Sequence, residues 1–294
     1  MSKNNDITII NWIKFKWLYF AISAMLIVIS IVSLAVNGVI IGLEFRGGSE
    51  LTILSQQDLP VDNLRESIAN EEIEVVSIQR SGEEQYMFRL GQVEENQKAK
   101  IIELITSENS DAVEQSFQIV GPSIGPELIK KTFFAVAIAA ITILGWVAYQ
   151  FKSIKFGVSA ILAMLHDSFI LIGSISVFGA LYGAEVDFLF ITAVLTTLSF
   201  SVHDTIVVFD RIREIQKGES DITKIANQAV TETMRRSIIN SLTIIFMLAA
   251  LVILGGVTIR WFAVSLLVGA VLGTYSSPFV AVPLLATWEK MTKK

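Results

Sequence analysis

The chain of 294 residues has no cysteine, five prolines, two histidines and only 17% charged side chains. Without cysteine there is no disulfide framework and no thiolate-ligated metal site, and the redox compartment stays undetermined. The shortage of charge accompanies 52% hydrophobic residues and a mean hydropathy of +0.59. That balance argues against an ordinary soluble domain and for a membrane protein.

What is present supports this reading. A hydrocarbon core about 30 Å thick needs roughly 20 apolar residues of helix, and Trp17 to Val36 supplies such a run with no charge. Five further spans are expected at Thr132 to Tyr149, Phe156 to Leu181, Phe188 to Phe209, Ile238 to Gly256 and Phe262 to Thr287. The first run is longer than the apolar core of a secretory signal and has no A-x-A-like site after it, so it reads as an uncleaved anchor. Orientation follows from Lys and Arg near the span ends. A cytoplasmic N-terminus places Lys14, Lys16, Lys155, Arg211, Arg213, Arg235, Arg236 and Lys290 inside, with only Arg260 in the short outer loops. Both termini are therefore expected in the cytoplasm, with residues 37–131 across the membrane.

This gives three expected parts. Residues 1–36 form the N-terminus and first span, 37–131 an exported α+β domain, and 132–294 a five-helix bundle. The exported part holds 17 acidic against 8 basic residues, a net charge of −9, which argues against nucleic acid as a partner. Its pattern reads as strand 50–54, helix 61–70, strands 74–79 and 85–90 around the turn Ser81-Gly82-Glu83-Glu84, helix 94–107 and strand 115–120. The order βαββαβ is that of a ferredoxin-like sandwich. About 80 residues can enclose one small core. The domain has no His or Cys, and its acids read as solvated charges, so it is expected to bind or to act as a lever.

Glycine-rich flanks bound this domain, Gly42 to Ser49 on one side and Val120 to Leu128 on the other. They read as turns or close backbone approaches. Gly47-Gly48 is not followed by the Lys-Ser/Thr of a phosphate-binding loop, so nucleotide binding is rejected. Gly269 and Gly273, with Ser276-Ser277-Pro278 and Pro283, point to close helix packing in the sixth span.

The informative charges lie inside the spans. His166 and Asp167 fall near the middle of the third, and Asp204 beside His203 falls in the inner half of the fourth. An aspartate at the bilayer centre costs about 2.5–3.5 kcal/mol by insertion scales, and such residues face the bundle interior or a water-filled cavity. A carboxyl that carries a proton there avoids the charge and can load from one side and release to the other. Hydrogen bonding to Thr196, Thr197, Ser199, Ser201 and Thr205 is the competing reading. Arg236, at the start of the fifth span, is the candidate counter-charge to Asp204. Asp210, Arg211, Arg213 and Glu214 lie just past the apolar run and read as headgroup anchors.

The segments GLEFRGGS, VGPSIGPEL, LHD, SVHDTIVVFDRIRE and TETMRRSIINSLT together resemble the SecD/SecF family of protein-export membrane subunits over essentially the whole chain. The resemblance implies a six-span half of a proton-driven exporter, not an enzyme, without a cofactor and with H+ as the coupling ion. It implies residence in the bacterial cytoplasmic (inner) membrane and help to protein translocation or release driven by the proton motive force. The partners it implies are SecD, the SecYEG translocon, SecA-driven export, YajC, unfolded exported polypeptide and membrane lipids. Carried over by motif, the proton carrier is Asp204 and the arginine is best matched by Arg236. Arg235 stands where the pattern has a small polar residue, and His203 where it often has Asn. Asp167, His166, His203 and Arg235 are accessory candidates. The competing classes are one half of a small-molecule or lipid exporter and a purely structural translocon-assembly subunit.

Overall fold

The computed structural model describes residues 9–81, 84–121, 124–151, 153–217, 219 and 221–292. They form two compact units, Met1–Ile40 with Val136–Lys294, and Ile41–Ala135. Among the described residues six helical segments are long and apolar enough to cross a membrane. The first contains helix α1, Lys16–Val36. Its buried residues are Ser23, Ser30 and Ser33, while Met25, Val28, Ile29, Ile31 and Val32 point outward. In water this would be inside out. In lipid it satisfies both requirements, since small polar residues let helices approach and apolar ones meet the acyl chains.

After a single helical turn at Leu43–Arg46, the second unit is built on a four-stranded antiparallel sheet with two longer helices: β1 (Gly48–Leu54), α2 (Val61–Asn70), β2 (Val75–Ser81), β3 (Gln85–Leu90), α3 (Glu95–Glu108) and β4 (Val113–Val120). The spatial order is β2-β3-β1-β4, with Leu51 opposite Phe88 on one side and Phe117 on the other. Alternation puts Leu51 and Ile53 of β1 and Tyr86, Phe88 and Leu90 of β3 into one core. Leu64 and Ile68 of α2, and Ile101 and Ile105 of α3, close it from their i, i+4 stripes. A reciprocal Glu94/Gln97 capping box starts α3. The double glycine has a definite reason. Gly47 and Gly48 have φ of 77° and 130°, and a Cβ on Gly48 would lie 2.5 Å from the carbonyl oxygen of Leu90. Gly82 and Glu83 of the expected hairpin turn, and Pro122 and Ser123 of the second flank, lie outside the described residues.

The remaining helices are α4 (Ile124–Phe151), α5 (Ile154–Tyr182), α6 (Phe188–Ile215), α7 (Ile222–Leu254), α8 (Val257–Ser276) and α9 (Val282–Thr292). A single π-helical turn, Ser277–Ala281, joins α8 to α9 and has Pro278 near its start. α6 and α7 begin at Asp187 and Asp221, whose carboxylates accept the backbone N–H groups of Phe190 (2.6 Å) and Thr223 (2.9 Å). Small residues set the contacts. A Cβ on Gly173 of α5 would lie 2.2 Å from Ser30 of α1, and one on Gly269 of α8 would lie 2.0 Å from the Thr197 hydroxyl of α6. A Cβ on Gly273 would meet the Ser201 backbone at 3.3 Å. α6 is thus held against α8 by a Gly-x-x-x-Gly strip facing hydroxyl residues.

Candidate functional site

Apolar residues carry α6 through the membrane unit, and its polar side chains divide between two faces. Asp204 and His203 open onto a cleft of about 350 Å³ shared with α7 and α8, whose other polar walls include Asn240, Ser241 and Thr274. The Thr274 hydroxyl donates to that of Ser241 at 2.7 Å and braces the wall. Asp204 is half-buried, and among the described residues no hydrogen bond or ion pair holds its carboxyl. The basic side chains near enough to act on it electrostatically are those of His203 and Arg236. Arg236 is exposed and forms no ion pair with Asp204 among the described residues. Arg235, about 100° around the same helix, is also exposed and is not among the charges acting on Asp204. An acid in this setting can change protonation without breaking a salt bridge.

The adjoining face of α6, about 100° around, is neutral and tightly bonded. The Thr205 hydroxyl donates to the Ser201 carbonyl at 2.8 Å and lies 2.9 Å from the Ser277 hydroxyl in the π turn. The residue before the π turn, Ser276, reaches α5 and donates to Asp167 Oδ2 at 2.5 Å. Asp167 Oδ1 lies 2.9 Å from His166 Nδ1, and Asp167 has no exposed surface. One residue further back, the Tyr275 hydroxyl donates to the Tyr19 carbonyl of α1 at 2.8 Å. Three consecutive residues, Tyr275 to Ser277, therefore bind α1, α5 and α6 in turn.

The six sequence-derived residues thus fall into separate places. His203 and Asp204 line the cleft with Arg236 within electrostatic reach of Asp204, whereas His166 and Asp167 make an enclosed pair bonded to α8. No hydrogen bond or ion pair joins the two groups among the described residues. The charges at the end of α6 do more than face headgroups. Arg211 pairs with Glu232 of α7 and, at 2.6 Å, with Glu214, while Arg213 lies 3.5 Å from Asp210. Sequence reasoning missed Asn240 and Ser241 as cleft walls and Ser276 as the partner of Asp167. Serines in a span carry no charge to mark them, although the Ser276-Ser277-Pro278 triplet was visible.

Comparison with known proteins agrees with this architecture. The family described as "Protein export membrane protein SecD/SecF, C-terminal" matches residues 100–291. The protein translocase subunit SecF of Thermobaculum terrenum is 36% identical over 299 residues, covering 95% of this chain and 94% of the relative. That of Anaerolinea thermophila is 36% identical over 284 residues, covering 93% and 92%. Among solved structures, SecDF of Thermus thermophilus, described as a translocon-associated membrane protein, superposes with a TM-score of 0.86 at 30% identity over 99% of this chain. The super-membrane-facing form of SecDF superposes with a TM-score of 0.71 at 29% identity over 97% of it. The chain spans 40% and 39% of those two longer chains. Six apolar spans, an antiparallel α+β domain after the first, and these full-length similarities place the chain in the SecD/SecF family, as a SecF-type multi-pass membrane subunit of the protein translocase and not an enzyme.

Proposed function

We propose that this subunit works with SecD to couple the proton motive force to translocation or release of polypeptide across the cytoplasmic membrane, with Asp204 as proton carrier and Arg236 as the charge that biases it. The observation that carries the reading is the half-buried Asp204 on a polar-walled cleft, with no fixed counter-ion among the described residues. A proton crossing 100 mV releases about 2.3 kcal/mol, and a carboxyl whose access alternates between two sides can capture it. Loss of charge at Asp204 changes what α6 presents to α7 and α8. The strip Gly269/Gly273 against Thr197/Ser201 passes that change on as a rigid shift instead of absorbing it.

The reading assigns both termini to the cytoplasm, residues 37–131 to the outer side, and Arg235 and His203 to accessory roles. SecYEG, SecA-driven export, YajC and the emerging unfolded polypeptide are the further partners it assigns. Its test is Asp204→Asn in vesicles containing this chain, SecD and the translocon. Gradient-dependent export and proton flux are expected to disappear, while ATP-driven export continues. Unchanged flux and gradient response would reject the carrier role and favour a purely structural subunit, which tolerates a neutral substitution at this position.

A further inference from the structure

Asp167 is the most enclosed acid among the described residues of the membrane unit, and Asp204 does not account for it. Both of its oxygens are engaged, Oδ1 with His166 Nδ1 at 2.9 Å and Oδ2 with Ser276 Oγ at 2.5 Å. His166 is buried too, and its Nε2 has no hydrogen-bond partner among the described residues. A carboxylate beside a neutral imidazole would leave a net negative charge where solvation is poor. One added proton makes the pair neutral, whether written as carboxylic acid with imidazole or as carboxylate with imidazolium. No Lys or Arg pairs with Asp167 among the described residues. The titratable groups on the packed elements include Tyr19 of α1, His203 and Asp204 of α6, Tyr275 of α8, which interacts electrostatically with Asp167, and Glu289 of α9, which is paired with Lys155 at 2.6 Å. A proton is therefore the means of neutralising this carboxyl.

We propose that Asp167 and His166 form a second proton-holding site, neutral as a pair, whose release is gated by Ser276 at the π-helical break. The gate is local geometry. Ser276 ends the regular helix, and a π turn is where the i→i−4 ladder is interrupted and where functional distortions concentrate. Ser277, the first residue of that turn, is bonded to Thr205, the neighbour of Asp204. A shift of α6 at Asp204 therefore pulls on the turn that directly follows Ser276. Donation from Ser276 to Oδ2 favours the carboxylate, so the pair keeps its proton while Ser276 is withdrawn and passes it to a water when Ser276 bonds again. The O–H or N–H bond that holds the shared proton breaks, a water O–H bond forms, and Asp167 is left as carboxylate beside neutral His166.

This deepens the proton-coupled reading and rests on it. The test is infrared difference spectroscopy across a pH titration, on the full chain co-reconstituted with SecD, alongside the pH profile of gradient-dependent export. Two carboxyl signals are expected, one lost in Asp204→Asn and the other in Asp167→Asn, which keeps a group able to bond Ser276. Asp167→Asn is also expected to shift the pH profile, and Ser276→Ala to move the Asp167 signal without removing it. A wild-type infrared titration and pH profile in Asp167→Asn would overturn the second site, and an unmoved signal in Ser276→Ala would overturn its gate. Should Asp167→Asn fail to assemble, His166→Gln reads the same site, and an unchanged Asp167 signal there overturns the pair. The two readings fail separately. Intact gradient-dependent export in Asp204→Asn rejects the carrier role of Asp204 whatever happens at Asp167.

Discussion

At the scale of the residue, neighbours in sequence have opposite surroundings. Asp204 looks onto a cleft, while Thr205 is locked to the π turn, because successive side chains on a helix diverge by about 100°. The same divergence separates the two arginines of α7. Arg236→Gln is therefore expected to lower gradient-dependent export in SecD-containing vesicles roughly tenfold, equivalent to about 1.4 kcal/mol of lost interaction. Arg235→Gln is expected to leave it near wild type, and equal effects would show that the arginines act through general charge. Asp204 was legible from sequence because a charge in an apolar run is conspicuous. Ser276 was not, because its importance comes from what lies across the helix interface.

At the scale of the element, contacts depend on atoms that are missing. Gly173→Ala puts a methyl group 2.2 Å from Ser30, so α1 and α5 must separate. The expected cost is about 1–3 kcal/mol, measured by unfolding in detergent. Helix starts give a pH dependence outside the spans. The Asp221 carboxyl is held below its ordinary value chiefly by the backbone N–H of Thr223, helped by Lys224 and Lys290. A folded-state value below the unfolded one means that this contribution is present above the unfolded value and is lost as pH falls through the folded one. Asp221→Asn keeps a cap but removes the titration, so thermal stability of the variant is expected to fall less than wild type on acidification through the carboxylate range. Elements were largely readable from sequence. Helix 61–70 and strand 85–90 appear at the expected residues, since apolar periodicity is local chemistry. The α6 spiral instead continues to Ile215, past the expected Phe209, because Arg211 and Arg213 find partners on Glu232, Glu214 and Asp210 and stay helical.

At the scale of the whole molecule, two solvents shape one chain. Residues 41–135 bury Leu51, Phe88, Ile101 and Ile105 in a core of their own, so this fragment is expected to fold alone and unfold cooperatively by circular dichroism. Within it Phe88→Ala should cost about 3–5 kcal/mol, since the ring is fully enclosed. In the membrane unit the rule is reversed, with serines inside and aliphatic residues outside along α1. By itself the sequence determined the six spans, the βαββαβ order, the family and the acid worth testing, because hydropathy, periodicity and motif are properties of neighbouring residues. Only the tertiary structure decided that Asp204 opens onto a cleft while Asp167 is enclosed, and that Tyr275 to Ser277, where α8 meets the π turn, join α1, α5 and α6. Those facts depend on which helix faces which, through glycine-sized gaps between residues far apart in the chain.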